Sequence, residues 1–145
     1  AASKLEAAAK NNDEDKVRQL HIGLNNNYQE LLKEFECFLA EVADQVVGMA
    51  LYYPRYSTWK GPTFHLEDLI VTESMKGKGI GTLLYQAFLK HAHQEGVERV
   101  EWAVLDWNLP AIEFYQKSGA SLLDDWRSVQ MDKKSIDNYI LKINS

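Results

Sequence analysis

The chain has 145 residues, of which 46% are apolar and 11% aromatic, and this composition fits one globular domain with a single core. No apolar run reaches the roughly 18 residues that a membrane span requires. The formal net charge of −5 argues against nonspecific binding to nucleic acid but is compatible with a cationic substrate. The single cysteine, Cys37, allows no internal disulfide, and the first residues lack a signal-peptide pattern, so we predict a cytoplasmic protein.

The predicted elements follow one another without repeats or a linker. Residues 1–34 are expected to form a helical and loop segment, and the first residue, Ala rather than Met, is compatible with processing or truncation. Residues 35–145 form the core of the same domain. The core is predicted to contain, in order, an antiparallel hairpin of 35–43 and 46–53, a loop over 54–62, a strand over 63–72, a helix over 79–95, a strand over 97–105, a helix over 111–117, a hairpin of 121–123 and 127–131, and a strand or helix over 135–141. This order predicts an α+β fold with helices packed on a sheet.

The central strand carries two consecutive acidic residues, Glu67 and Asp68. Two acids in a central strand are costly unless at least one of them reaches water or a partner, which makes this strand a candidate site. Because side chains alternate along a strand, one face should hold Glu67, Leu69 and Val71, and the other Leu66, Asp68 and Ile70.

A glycine-rich turn, residues 76–82, connects this strand to an amphipathic helix. The helix shows an apolar stripe at helical spacing, made of Ile80, Leu83, Leu84, Ala87 and Phe88. Gly77, Gly79 and Gly81 leave backbone N–H groups unshielded at the helix N-terminus, where they and the helix dipole favour a phosphate group. Lys76 and Lys78 add positive charge. A glycine-rich turn that binds no ligand is the alternative interpretation.

Two known phosphate motifs do not fit this turn. The dinucleotide pattern G-x-G-x-x-G would need Gly or Ala at position 82 or 84, which hold Thr82 and Leu84, and the P-loop spacing is absent. The pattern that remains, Lys76-x-x-Gly79-x-Gly81, resembles the acyl-CoA pyrophosphate loop of the GCN5-related N-acetyltransferase (GNAT) superfamily. Lys76 departs from the Arg or Gln that is usual at the first position there.

A second stretch, residues 107–120, resembles the second acetyl-CoA motif of the same superfamily. It has Asn108, Ala111, the pair Phe114-Tyr115 and the closing Gly119 in the family order. Leu66-Glu67-Asp68 and Trp107-Asn108-x-Pro110 further resemble the spermidine/spermine (diamine) acetyltransferase branch and its thialysine-acetylating relatives. The resemblance covers residues 36–131 and implies a mostly antiparallel sheet with a V-shaped split beside the central strand. The family's first strand and helical substrate lid are not recognisable in residues 1–34.

The resemblance implies acetyl-CoA as co-substrate. The main chains of Leu69 and Val71 would bind its pantetheine arm, and Asn108, Ala111 and Tyr115 would also contact it. The implied pyrophosphate site is the run Lys76, Gly77, Lys78, Gly79, Ile80, Gly81 and Thr82. Asn108 could instead serve only as a helix N-cap. No metal site is expected, since the four histidines do not converge in the sequence pattern.

The implied reaction is direct attack of an amine on the acetyl thioester. The Leu69 N–H would stabilise the developing oxyanion, and Tyr115 would donate a proton to the leaving thiolate, unless it is a plain core aromatic. An alkylamine has a pKa of about 10.4 and must lose a proton before attack. Glu67 is the carboxylate at the matching position. It could act as the base or as an anchor for the ammonium group, or it could be only a structural ion-pair partner.

We therefore predict an acetyl-CoA-dependent N-acetyltransferase for a small primary amine, with a polyamine, a diamine or a thialysine-like amino acid as the leading class. The amine is expected to contact Glu67, Glu101, Trp102 and Ala103. Acids such as Glu101, Asp106, Asp124 and Asp125 could form an acidic wall for a polyamine, or be solvated charges. The alternatives are an enzyme for an amino sugar or a protein amine, and a non-catalytic acyl-CoA-binding module. By resemblance we expect a homodimer with no nucleic acid or membrane partner.

Overall fold

The computed structural model describes residues 17–20 and 35–144. The chain divides into two units, Ala1–Ala103 and Val104–Ser145. The elements of the first unit are β1 (Val17–Leu20), β2 (Glu36–Val42), β3 (Gln45–Ser57), β4 (Gly61–Val71), a 3₁₀ turn (Glu73–Met75), α1 (Ile80–Gln94) and β5 (Arg99–Glu101). Those of the second unit are α2 (Leu109–Lys117) and α3 (Lys133–Ile143). In the described part of the chain, no helix combines the length and apolarity needed to cross a bilayer.

The first unit is built on a five-stranded sheet in the order β1-β2-β3-β4-β5. All neighbouring strands are antiparallel except β4 and β5, which are parallel. The β2–β3 turn uses Ala43 and Asp44, with φ of 49° and 62°, as in the two-residue turns that match the twist of a hairpin. The predicted α+β class, the first hairpin, the central strand and the helix after it are confirmed.

Strand β3 is longer than the sequence pattern indicates. The predicted loop over 54–62 is wrong at both ends, because β3 continues through Pro54 to Ser57 and pairs there with the start of β4, which begins at Gly61. Only Thr58, Trp59 and Lys60 form the turn, and the Ser57 hydroxyl accepts hydrogen bonds from the N–H groups of Trp59 (3.3 Å) and Lys60 (3.1 Å). The extension matters because it carries Arg55 alongside β4, two residues after Tyr53.

Part of the N-terminal segment is also a strand. Residues Val17–Leu20 pair antiparallel with β2, so the prediction of a helical and loop segment over 1–34 is wrong for these four residues. The sequence Val-Arg-Gln-Leu has little strand propensity, and its pairing depends on the neighbouring strand, which sequence periodicity does not show. The remaining residues of that prediction, 1–16 and 21–34, lie outside the described residues.

A β-bulge in β4 changes which residues share a face. Leu51 pairs with Asp68 and Tyr52 with Leu66, so Glu67 is an extra residue without an opposite partner on β3. The alternation of side chains is therefore reset at Glu67. The prediction that Glu67, Leu69 and Val71 share one face is wrong, since the Val71 side chain lies against Gly81 of α1, whereas Glu67 contacts Tyr53 on the opposite face.

The core of the first unit lies between the sheet and α1. Tyr52, at its centre, is fully buried, and its ring lies 5.2 Å from the rings of Phe64 and Phe88, measured between centroids. Its hydroxyl donates a hydrogen bond of 2.6 Å to Glu36 Oε2, which satisfies the polar end of the ring. The apolar stripe predicted for α1 supplies Ile80, Leu84 and Phe88 to this core, as expected.

The second unit contains two helices joined by residues without regular structure. The predicted hairpin of 121–123 and 127–131 is wrong, because no strand is formed over these residues. The open choice at 135–141 is resolved as a helix, α3. The Asp132 side chain accepts a 2.8 Å hydrogen bond from the Ser135 N–H, which caps α3. Hydrogen bonding by the Ser135 side chain, and then by its backbone N–H, lowers the pKa of Asp132.

Gly48 provides a test of this packing. A Cβ there would lie 2.9 Å from the Ile70 carbonyl oxygen and 3.0 Å from Leu84 Cδ1, at the contact of β3 with β4 and α1. We expect Gly48→Ala to lower the free energy of unfolding by about 1–3 kcal/mol, the usual cost of overpacking. A Cβ at Gly81 would lie 3.6 Å from Val71 Cγ2, an ordinary contact, so Gly81→Ala is the matched control. Urea denaturation of both variants measures the difference, and equal stabilities would contradict the packing described.

Candidate active site

The turn before α1 has the backbone geometry of an anion site. Gly77 and Gly79 have φ of 72° and 81°, a left-handed conformation that favours glycine, and Gly79 is the N-cap of α1. The first bond of the helix runs from the Leu83 N–H to the Gly79 carbonyl, 3.0 Å away. The N–H groups of Ile80, Gly81 and Thr82 precede that bond, so the helix itself gives them no acceptor.

Two lysines lie in the same turn. Lys76 Nζ is 2.5 Å from Glu73 Oε2, and both side chains are largely exposed. Lys78 is half-buried, with Nζ 3.5 Å from Met75 Sδ. A Cβ at Gly77 would meet no atom within 4 Å, so the turn opens to solvent at this point. This turn therefore fits a phosphate group, because it combines N–H donors that lack helical acceptors, two cationic side chains and open space.

The edge of β4 that faces β5 is only partly covered. Among the described residues, β5 pairs with β4 only at Thr63, Phe64 and His65, while β4 continues to Val71. The Thr72 N–H donates to the Val47 carbonyl, 2.8 Å away. Hydrogen-bonded and non-hydrogen-bonded pairs alternate along antiparallel strands, so the backbone groups of Leu69 and Val71 point away from β3. They line the open edge, and the predicted split beside the central strand is confirmed.

Glu67 lies on the face of the sheet opposite α1. The Tyr53 hydroxyl donates a 3.0 Å hydrogen bond to Glu67 Oε2, and His65 Nε2 is 3.7 Å from the same oxygen. The pKa of Tyr53 is raised by burial, by the hydrogen bond to Glu67 and by the charge of Glu67. The positive charge of Arg55 partly offsets this increase. Tyr53 therefore stays protonated and remains a donor to the carboxylate. The side chain of Glu67 is 52% exposed, so this carboxylate also reaches water.

Three charged side chains lie between the Glu67, Tyr53 and His65 group and β5 or on β5 itself. Glu101 contacts Arg55 through Oε1 and Arg99 through Oε2, the latter at 2.9 Å. His65 Nδ1 lies 3.2 Å from Arg55 Nη1 and 3.9 Å from Glu101 Oε1. We call Tyr53, Arg55, His65, Glu67, Arg99 and Glu101 the polar cluster. Within it Glu101 is bracketed by two arginines, which does not suit an acidic wall for a polyamine at this position.

Four members of the cluster were missed by sequence reasoning, which predicted only Glu67 and Glu101. The missed residues are Tyr53, Arg55, His65 and Arg99. A signal was present, since Tyr53 and Arg55 are two apart on one strand, as are His65 and Glu67 on the next. Using it required the register of β3 on β4, which the false loop prediction over 54–62 removed.

The other residues predicted to bind the amine lie after β5. Trp102 packs edge-on against Tyr85 of α1, with ring centroids 5.8 Å apart. It is therefore on the α1 face rather than in the polar cluster. Ala103 is exposed at the end of the first unit.

The residues of the second predicted motif belong to the second unit. Asn108 is the N-cap of α2, but its side chain makes no capping hydrogen bond, so capping does not account for this residue. Ala111 and Tyr115, four residues apart, share a face of α2 and are half-buried. The Tyr115 ring packs edge-on against Phe114, with centroids 5.4 Å apart, and its carbonyl accepts a 2.6 Å hydrogen bond from the Ser118 hydroxyl.

Curated proteins of similar sequence act on amines. L-ornithine N5-acetyltransferase NATA1 of Arabidopsis thaliana is 41% identical over 63% of this chain and 42% of its own length. A thialysine N-epsilon-acetyltransferase of Caenorhabditis elegans is 33% identical over 79% of this chain and 76% of its own. A human spermidine/spermine N(1)-acetyltransferase-like protein 1 is 30% identical over 70% of this chain and 16% of its own. The predicted resemblance to the diamine branch is confirmed by these relatives.

Solved structures share the fold. An integron cassette protein of Vibrio cholerae matches 96% of this chain and 88% of its own, with a TM-score of 0.68 and 20% identity. The protein AAC(6')-Iy, solved in complex with the bisubstrate analogue CoA-S-monomethyl-acetylneamine, has a TM-score of 0.61 and 17% identity, over 81% of this chain and 96% of its own.

The sequence model of the family described as "Acetyltransferase (GNAT) family" matches residues 5–120. This match begins upstream of residue 36, where the recognisable resemblance starts, and it includes β1. With most of its length matched, the chain belongs to the acetyltransferase (GNAT) family.

Proposed function

We propose that the protein is an acetyl-CoA-dependent N-acetyltransferase that acts on a small primary amine. The observation that carries the proposal is the open edge of β4, which lies between the glycine turn and Glu67. Family membership and relatives named for ornithine, thialysine and spermidine/spermine acetylation support the amine class. From the resemblance we further propose a cytoplasmic homodimer.

The residues of the first unit fit the parts of acetyl-CoA. We propose that the N–H groups of Ile80, Gly81 and Thr82, with Lys76 and Lys78, bind the pyrophosphate, and that the backbone of Leu69 and Val71 binds the pantetheine arm. When bound, the co-substrate supplies an acetyl thioester. The Leu69 N–H would then donate to the acetyl carbonyl oxygen and stabilise the negative charge that develops there as the amine attacks.

Glu67 is the proposed group for the amine. Its carboxylate favours a cationic substrate end and can take the proton that the ammonium must lose. Tyr53 and His65 hold the Glu67 side chain and leave half of it open to solvent. Among the described residues, the salt-bridge partner of Glu67 is the His65 imidazole, 3.7 Å away, and no Lys or Arg pairs with this carboxylate, so a purely structural ion pair is a weak account of Glu67.

Tyr115 is proposed to donate a proton to the leaving thiolate. Its place in the second motif and its half-buried position on α2 support this role. Ala111, on the same face of α2, and Asn108, the N-cap of α2, are proposed to contact the co-substrate.

The proposal as a whole is tested by two measurements on the wild-type protein. Acetyl-CoA should raise the melting temperature, because a ligand that binds only the folded state stabilises it. Thiol release should then be measured against a panel of diamines, polyamines, diamino acids, amino sugars and peptide amines. Release with small primary amines supports the proposal. If acetyl-CoA stabilises the protein but none of the amines causes thiol release, the protein is a binding module. Thiol release with amino sugars or peptides alone would reject the proposed substrate class.

The glycine turn is tested by Gly79→Val. The valine side chain would crowd the N–H groups at the start of α1, and the left-handed backbone at position 79 favours glycine. We therefore expect the dissociation constant of acetyl-CoA to rise at least about tenfold, or roughly 1.4 kcal/mol. Gly96 has a φ of 66° and follows the other end of α1, so Gly96→Val is the matched control for backbone strain. Calorimetry on both folded variants makes the comparison. Equal affinity in the two variants would remove the pyrophosphate from this turn.

Tyr115→Phe keeps the ring and removes the hydroxyl. We expect the turnover rate to fall by about 10²–10⁴, the usual range for acid–base groups, while acetyl-CoA affinity stays nearly unchanged. Steady-state kinetics from pH 6 to 9 is the measurement, since a proton donor matters least where the thiolate leaves unaided. Wild-type turnover over that whole range would make Tyr115 a core residue.

Glu67→Gln removes the charge and keeps the size of the side chain. We expect a lower kcat/KM for amines at neutral pH, and a loss that shrinks as pH rises, because free amine then becomes abundant without a base. Acetyl-CoA affinity should not change. Amine acetylation at the wild-type rate near pH 7 would exclude both the base and the anchor role, and Asp68 would be tested next.

A further inference from the structure

The polar cluster has two ends of opposite charge. At one end lies Glu67, held by the Tyr53 hydroxyl. At the other end Arg55 and Arg99 share one carboxylate, Glu101, so this group of three carries one net positive charge. His65 lies between the two ends, with Nε2 towards Glu67 and Nδ1 towards Glu101.

This pattern does not match a substrate that carries only positive charges. A diamine or polyamine placed along the cluster would gain at Glu67 and would be repelled at the two arginines. A substrate with an ammonium group at one end and a carboxylate at the other would be attracted at both. Arginine is the residue best suited to a carboxylate, since its planar guanidinium offers paired donors in a fixed geometry.

The accessibility of the two arginines agrees with this reading. The side chains of Arg55 and Arg99 are 49% and 43% exposed, against 27% for Glu101 between them. A guanidinium has five N–H donors, and one carboxylate shared by two guanidinium groups cannot occupy all ten. Donors therefore remain for a second carboxylate that approaches from solvent.

The order of the charges along the cluster also fits. His65 lies between the two carboxylates, with Nε2 3.7 Å from Glu67 Oε2 and Nδ1 3.9 Å from Glu101 Oε1. A diamino acid carries its side-chain amine and its carboxylate at opposite ends of one chain, in the order that the two ends of the cluster would accept. The amine would then lie at Glu67, next to the open edge of β4, and the carboxylate would lie at the arginines.

We propose that Arg55 and Arg99 determine specificity by binding the carboxylate of a diamino acid, whose side-chain amine is acetylated beside Glu67. The inference rests on the proposed function and names the substrate class within it. The bond made is the amide between the side-chain nitrogen and the acetyl carbon, and the bond broken is the thioester. The ammonium loses one proton to solvent or Glu67 before attack, the nitrogen loses a second as the amide forms, and the leaving thiolate gains one, so that one proton is released overall.

The test compares two amines that differ by one group. L-Ornithine and 1,4-diaminobutane have the same diamine chain, and only ornithine has a carboxylate. For the wild-type protein we expect kcat/KM for ornithine to exceed that for 1,4-diaminobutane at least about tenfold, with most of the difference in KM. Acetylation of neither amine nor of any other in the panel would be a failure of the proposed function. Acetylation of 1,4-diaminobutane as fast as ornithine would overturn the specificity inference alone.

Arg55→Gln and Arg99→Gln assign that preference to the arginines. Each should lower the ratio of the two kcat/KM values about tenfold, because ornithine loses a partner and the diamine loses a repulsive charge. The ratio is measured within one preparation, so a partly unfolded variant does not alter it. Lys90→Gln is the control, since it removes the same charge from α1, which packs on the other face of the sheet. An unchanged ratio in both arginine variants, or an equal fall in the control, would overturn the assignment.

Discussion

The incomplete pairing of β4 is the constraint on which the rest of the site depends. This strand is bonded to β3 along its length but to β5 over only three residues. The backbone groups of Leu69 and Val71 consequently face an edge that no described strand covers. Backbone N–H and C=O groups need hydrogen-bond partners in a folded protein. The unpaired groups of a strand edge have the spacing of a strand, so an extended ligand can supply those partners. A pantetheine arm with its amide groups is such a ligand.

The bulge at Glu67 decides which side chains of β4 face α1 and which face the polar cluster. Without the extra residue, Glu67 would share a face with Leu69 and Val71 and would be directed towards α1 and the glycine turn. With it, the side chains of Leu69 and Val71 pack on the α1 side, and Glu67 joins Tyr53 and His65 on the other. One residue in a strand thus separates a region suited to phosphate from a region suited to an amine, while both remain next to the same edge.

The sequence was sufficient where local patterns decide the structure. The apolar stripe of α1, the glycine turn and the alternation in β2 follow from side-chain periodicity and backbone freedom. It failed where pairing decides, as in β1, in the Pro54–Ser57 part of β3 and in the bulge. The candidate site divides the same way. Glu67 and the glycine turn were predicted from their own segments, whereas Tyr53, Arg55, His65 and Arg99 come together only through the register of three strands.

The charges of the polar cluster are better explained by what they present to a ligand than by stability. Ion pairs exposed to this extent contribute little to the free energy of folding, since solvent screens them and ordering the side chains costs entropy. Glu101 nevertheless lies between Arg55 and Arg99, and all three residues are on paired strands. Side chains on paired strands keep their relative positions when a substrate arrives, so little reorganisation is needed to complement its charges. A cluster that adds little to stability and is held by paired strands therefore fits the proposed role in substrate choice, in which its two signs of charge would distinguish one amine from another.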